Sequence, residues 1–327
     1  MPKVSVLLPV YNCEKYISET IQSLLNQTFE DFEILVIDDC SKDSTIEIVE
    51  SFDDKRIQLF KKEKNTGYTN SLNYAISIAK GEYIARMDGD DICMPNRFEK
   101  QVEFLDANTN IILCGSAIQI IGQNTILRHP SSHDEIKVKL CFGNAFYHPS
   151  VMGRISVFKE NAYYSQFEPA EDYNLWTRLV FKGELANLEE VLLLYRVHNE
   201  QISQQKKNIQ EKNTYLSRLS MFEKLNTIVE SNEINLGFGI VAPQSIDDCI
   251  SIIKIYNLSK FRNRKLKIFN LMLFERAVNS YKIILIKQYI TKHNFFKVKT
   301  LFFILKYLSL KDFYKMLNAS NRRILKK

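Results

Sequence analysis

Four short apolar runs, at residues 4–10, 32–37, 56–60 and 81–87, alternate with stretches of helical periodicity, and this alternation constrains the fold most. A brief apolar run bounded by polar residues reads as a buried strand. The intervening stretches, about 14–26, 43–52 and 65–80, carry apolar residues at helical spacing. Ile17, Ile21, Leu24 and Leu25 mark the first, and Leu72, Ala75, Ile76 and Ala79 the third. Strand–helix alternation predicts an α/β chain with a mostly parallel sheet flanked by helices. Pro9 cannot donate to a ladder, so the first strand is expected to close about there. Gly81 is expected to cap the third helix at its C-terminus.

Polar residues follow the carboxyl ends of these strands. Tyr11-Asn12 follow the first, Asp38-Asp39 the second and Asp88-Gly89-Asp90-Asp91 the fourth. That edge of an open α/β sheet is where a ligand crevice forms. Tyr11 serves either as a stacking platform for a planar base or as a half-buried residue packing on the sheet. Asp38 and Asp39 either accept from a nucleobase and a ribose or cap and solvate their loop. Three carboxylates within four positions repel one another unless a cation sits among them, and a hard divalent ion bound through oxygen answers that need. The alternative is a solvated acidic turn. Asn65-Thr66-Gly67 is a turn signal that opens the third helix.

Further along, residues 95–105 and 133–140 read as helices. Residues 111–115 and 117–121 read as strands, bent at Gly115. His148, ahead of a strand, reads as a packed structural histidine. Asp172 sits near the start of a helix carrying Leu175, Trp176, Leu179 and Val180. There it is either a first-turn acid favoured by the helix dipole or a positioned general base. A strand over 186–197 ends at His198, which is a metal ligand, a phosphate donor or a structural histidine.

Charge is split along the chain. Residues 251–327 hold 19 Lys and Arg against Glu275 and Asp312 alone, whereas the other 250 residues hold 25 against 36 Asp and Glu. A basic tail calls for a surface of negative charge. It is rich in Ile, Leu, Phe and Tyr, and residues 281–287 and 301–308 read as amphipathic helix suited to an anionic membrane or to packing on the main domain. No nucleic-acid motif accompanies the charge. The six cysteines lack C-x-x-C spacing and read as reduced thiols rather than zinc ligands or a disulfide framework. No secretory signal and no membrane-spanning run are expected.

Taken together, residues 4–12, 36–45, 65–67, 87–91, 171–173 and 195–198 resemble the inverting nucleotide-sugar glycosyltransferases of family 2, which have the Rossmann-like GT-A fold. The resemblance covers about residues 3–205, and implies a catalytic domain at 1–205 followed by a helical, basic region at 206–327. It implies that Tyr11 stacks on the base, that Asp39 accepts from the base edge, and that Pro9, Asn12, Asn65 and Gly67 belong to the nucleotide-sugar pocket. Asp88 is implied at the ribose or sugar, Asp90 at Mn²⁺ or Mg²⁺, and Asp172 as the base that deprotonates the acceptor. His198 matches a position that some relatives place near the metal or diphosphate. The implied donor is a UDP-sugar and the implied acceptor a glycan or lipid-linked sugar. The implied setting is surface polysaccharide or glycolipid assembly, in the cytoplasm at the inner face of the membrane. Two rivals stand beside this reading. A nucleotidyltransferase uses acidic metal sites too, but residues 9–14 lack its Gly-rich basic loop. A silent nucleotide-binding scaffold does not need the intact set Asp39, Asp90 and Asp172.

Overall fold

The computed structural model describes residues 1–198, 206–227 and 243–293. It divides into two compact units, Met1–Ser217 and Arg218–Lys327.

In the first unit the expected alternation appears in order: β1 (Val4–Val10), α1 (Ile17–Leu25), β2 (Phe32–Asp38), α2 (Thr45–Glu50), β3 (Ile57–Lys61), α3 (Tyr68–Ile78) and β4 (Tyr83–Arg86). There follow β5 (Ile92–Cys93), α4 (Arg97–Ala107), β6 (Ile111–Ile120), β7 (Ile126–Leu127), α5 (His133–Lys139), β8 (Met152–Arg154), α6 (Ile155–Glu160), α7 (Glu171–Leu179) and β9 (Glu184–Tyr195). The strand order is β3-β2-β1-β4-β8-β6-β9-β5, with β7 on β6. β3, β2, β1 and β4 run parallel, as do β6 and β9, while the shorter strands β5, β7 and β8 pair antiparallel. Every residue of β1 and β2 is buried, which is why they read as continuous apolar runs rather than alternating ones.

The chain winds outward from β1 to β3 and then returns to place β4 on the other side of β1. The gap beyond the ends of β1 and β4 is therefore the topological switch point, where such sheets bind ligands. Pro9 costs no ladder bond there. Leu7 accepts from Met87 N on the β4 side of β1, and Pro9 lies two residues further, past the end of β4.

Two glycine expectations need correction. Gly81 is not a left-handed helix cap, since α3 ends at Ala79 in extended backbone and positive φ among glycines occurs at Gly67 and Gly122. Gly81 is needed for space, because a Cβ there would lie 2.6 Å from Ser5 N of β1. Gly115 does not divide two strands, since β6 runs unbroken past it and the register shifts fall at 111–113 and 116–118. A Cβ at Gly115 would meet Asn187 Oδ1 at 2.3 Å and Phe146 at 2.8 Å.

Helix α8 (Lys207–Glu223) runs from the first unit into the second, which also holds α9 (Ile246–Leu266) and α10 (Leu271–His293). The apolar side of the expected amphipathic stretch 281–287 is used within this hairpin, where Ile283, Ile286, Tyr289 and Ile290 pack with Cys249 and Ile253. The stretch at 301–308 lies outside the described residues.

Candidate active site

Loops at the ends of β1 and β2 are tied to each other before any ligand is considered. Val10 O accepts from Asp39 N. Asn12, in the left-handed region at φ 52°, accepts from Lys42 N through its side chain, and its own N–H donates to Ser41 Oγ. Glu14 accepts from Ser44 N while its own N–H donates to Asp43. Asp38 takes the N–H groups of Cys40 and Ser41, the loop-capping role. These bonds leave Tyr11 47% exposed, an aromatic face open to the crevice.

Asp39 is buried, and its carboxylate anchors the next loop. It accepts from Lys62 Nζ at 2.8 Å and from the N–H groups of Thr66 and Gly67, both at 2.9 Å. A carboxylate offers about four acceptor sites, so one remains for a ligand. Gly67 is needed at φ 89°, where a Cβ would press on the Glu168 carboxylate at 3.0 Å. Asn65 accepts from Gly67 N. Asn65 and Gly67 thus stand behind Asp39 and do not line the cleft.

The acidic cluster lies across from these loops. Asp88, Asp90 and Asp91 each bring a carboxylate oxygen to within 4.8 Å of the other two. Arg86, buried at the end of β4, is ion-paired with Asp88. Asp90 meets His198 Nε2 at 2.8 Å. Asp91 is fully buried: Oδ1 accepts from Arg196 N at 2.8 Å, while Oδ2 has no hydrogen-bond partner. Burial raises the Asp91 carboxyl well above its usual range, and the charges of Asp88 and Asp90 add to it. Burial raises Asp88 too, against the pull of Arg86. Three converging carboxylates, one of which also carries a buried oxygen without a partner, fit a hard divalent cation, which takes oxygen ligands and relieves such repulsion.

A second acidic pair opens α7. Asp172 accepts from Asn144 Nδ2 at 2.7 Å and from Tyr173 N at 2.6 Å. Glu171, buried beside it, accepts from the Tyr68 hydroxyl and faces His148 Nδ1 at 3.7 Å. Burial and then the neighbouring Asp172 push the Glu171 carboxyl up to about 8. Burial also raises Asp172, but its two N–H donors favour the charged form. Of the two, Glu171 therefore holds a proton more tightly. His148 lies at the cleft but is packed as well: burial holds it well below its usual range, and Nε2 bonds the Tyr163 hydroxyl.

These groups border one cleft of about 720 Å³, with Pro9, Tyr11, Asn12, Asp39, Asp88, Asp90, Asp172 and His198 on its walls. Several of its residues were not singled out from sequence. Arg86 carried a signal, a lone cation within a buried strand. Glu171 stood beside Asp172 unassigned. Tyr68 and Gln210 carried none, nor did Asn144, which bonds Asp172.

The family model described as Glycosyl transferase family 2 matches residues 5–162. A protein named an uncharacterized glycosyltransferase of Haemophilus influenzae is 31% identical over 310 residues, covering 89% of this chain and 91% of that one. The O-antigen biosynthesis glycosyltransferase WbnJ of Escherichia coli is 34% identical over 209 residues, covering 60% of this chain and 80% of that one. Among solved structures, S. aureus TarS 1–349 in complex with UDP-GlcNAc superposes with a TM-score of 0.59 at 19% identity, covering 86% and 91%. The mannosyltransferase PcManGT from Pyrobaculum calidifontis, in complex with GDP-Man and Mn²⁺, does so with a TM-score of 0.53 at 15% identity, covering 97% and 87%. At these identities the solved structures speak for the fold, a GT-A-like α/β sheet.

Proposed function

The chain belongs to glycosyl transferase family 2, and on that premise we propose that it moves a sugar from a nucleoside-diphosphate donor, UDP before GDP or dTDP, to a hydroxyl of a glycan or lipid-linked acceptor. The observation that carries the reading is the meeting of two separate acidic groups, Asp88 with Asp90, and Asp172, in one cleft that the exposed Tyr11 also lines.

Tyr11 supplies a face for the base, and Asp39 keeps one acceptor site for a base N–H while its other bonds fix its position. Asp88 points the ribose or sugar, restrained by Arg86. Asp90 and Asp91 would hold Mn²⁺ or Mg²⁺, with His198 steadying Asp90. A bound divalent ion supplies neutralisation of the charge developing on the leaving diphosphate. Asp172, oriented by Asn144 and Tyr173 N, which favour its charged form, removes the acceptor proton as the new bond forms. One base opposite the leaving group gives a single displacement with inversion. Placing donor and acceptor in line supplies much of the remaining acceleration.

The setting is surface polysaccharide or glycolipid assembly at the inner face of the cell membrane, with the basic C-terminal region on anionic lipid. No helix among the described residues is long and apolar enough to cross a membrane. The uridine preference rests on the Tyr11/Asp39 pair.

Calorimetric titration with UDP, GDP and dTDP, each with and without Mn²⁺, tests the donor. Metal-dependent binding of UDP is expected, weakened at least tenfold by Asp90→Ala. Asp172→Asn should keep that binding within about twofold and cut transfer by roughly 10²–10⁴. A folded protein that binds none of the three would overturn the proposal, and loss of binding in Asp172→Asn would remove the base assignment alone.

A further inference from the structure

The turn between α9 and α10 is built to be rigid. Lys267 ends α9 in the left-handed region. The Asn263 side chain donates to Phe269 O and accepts from Phe269 N, and the Phe269 ring stacks on Phe274 at 4.9 Å. Asn270 accepts from Leu273 N at the start of α10. Phe269 and Phe274 are buried by this arrangement.

The turn's flanks, at the end of α9 and the start of α10, leave several apolar side chains exposed. Met272 is 75% exposed, Phe261 50%, Leu271 49% and Leu266 41%. Cations alternate with them in the chain. Arg264 and Lys267 are exposed, and Lys265 lies over the Phe261 ring at 4.5 Å. In sequence, residues 249–293 hold ten Lys and Arg against Glu275 alone, and Glu275 is paired with Arg264. Large apolar side chains exposed along one short stretch of chain suit an interaction surface. Its charge selects the partner. A second copy meeting this tip through a two-fold axis would set these cations against themselves. An anionic bilayer matches both properties, since apolar side chains enter the acyl boundary while Lys and Arg stay among the headgroups.

We propose that the α9–α10 tip is the point of entry into an anionic lipid surface, with Leu271 and Met272 as its wedge and Arg264, Lys265 and Lys267 at the level of the lipid phosphates. This rests on the membrane reading given above and assigns it to one element. The amphipathic stretch at 281–287 is not the contact, because its apolar side is already packed within the hairpin.

The test is co-sedimentation of the full chain with vesicles of phosphatidylcholine alone and with about one third phosphatidylglycerol. The unaltered protein should bind the anionic vesicles at least tenfold better. Leu271→Asp with Met272→Asp, and separately Lys265→Glu with Lys267→Glu, should each weaken that binding about tenfold or more. Their thermal melts should stay unchanged, since all four side chains face water. In Met272→Trp the introduced indole should be quenched by brominated lipid, while Trp176, fully buried, stays unquenched in the parent. If the parent binds no vesicle, the membrane reading fails as a whole. If it binds but the variants bind equally and the introduced indole is not quenched, the tip assignment is overturned and another part of the chain holds the lipid. Equal binding to neutral and anionic vesicles would overturn the role given to the cations.

Discussion

Glu171 and Asp172 are adjacent in the chain and opposite in chemistry. Two like charges side by side cannot both be kept cheaply, so the environment decides which one ionises. Asp172 has two N–H donors, whereas Glu171 has one hydroxyl and a neutral histidine for company. A stability signature follows. The Glu171 carboxyl is raised to about 8 from an ordinary 4.5, so the folded chain retains a proton that the unfolded chain releases. Its contribution is full below about 4.5 and is lost as pH rises toward 8. Glu171→Gln keeps an acceptor for Tyr68 but cannot titrate. Its melting temperature should therefore fall less between pH 5 and pH 8.5 than that of the parent, measured by thermal denaturation at both values. An identical fall in the two proteins would place the titrating proton elsewhere.

Elements of the sheet were legible where burial made them so. β1, β2 and β4 are covered on both faces, and a short continuous apolar run is the mark such a strand leaves in the chain. β5 and β7, of two residues each, and the six-residue α6 left no pattern to read. The order of the strands follows from pairings remote in sequence, which no local pattern encodes. The same division holds within the site. Tyr11, Asp39 and Asp88–Asp91 sit at strand ends and announce themselves. The bonds Tyr68–Glu171, Asn144–Asp172 and Asp90–His198 join residues 103, 28 and 108 positions apart and had to be seen. Glycines show the limit most sharply: Gly81 was visible as a special residue, but its reason, the backbone of β1 pressing on it, was not. Gly81→Ala should therefore cost roughly 1–3 kcal/mol, because backbone rather than a flexible side chain must yield. Gly143→Ala, where the nearest atom is Lys139 Nζ at 3.9 Å, should stay within about 0.5 kcal/mol. Urea denaturation of both variants measures the contrast.

At the scale of the whole molecule, the question is where the catalytic unit ends. The sequence resemblance fades at about residue 205, and all but one of the cleft-lining residues precede it, Gln210 being the exception. Yet the part of α8 up to Ser217 belongs to the first unit. Asn213, itself buried, donates to Gln166 O and Glu168 O, and Gln210 donates to Pro169 O. Those carbonyls belong to the loop that delivers Glu171 and Asp172 to the cleft. A chain ending at residue 205 loses all three bonds, whereas one ending at Ser217 keeps them. At about 1 kcal/mol for each bond, and about 2–4 °C for each kcal/mol in a chain of this size, the shorter protein should melt roughly 6–12 °C lower. Because Tyr11, Asp39 and the acidic cluster are held by bonds made before residue 199, both truncated chains should still bind nucleotide with metal. Equal melting temperatures would mean that α8 only adjoins the loop. A lower melting temperature with binding retained would make α8 the buttress of the Glu171–Asp172 side of the cleft.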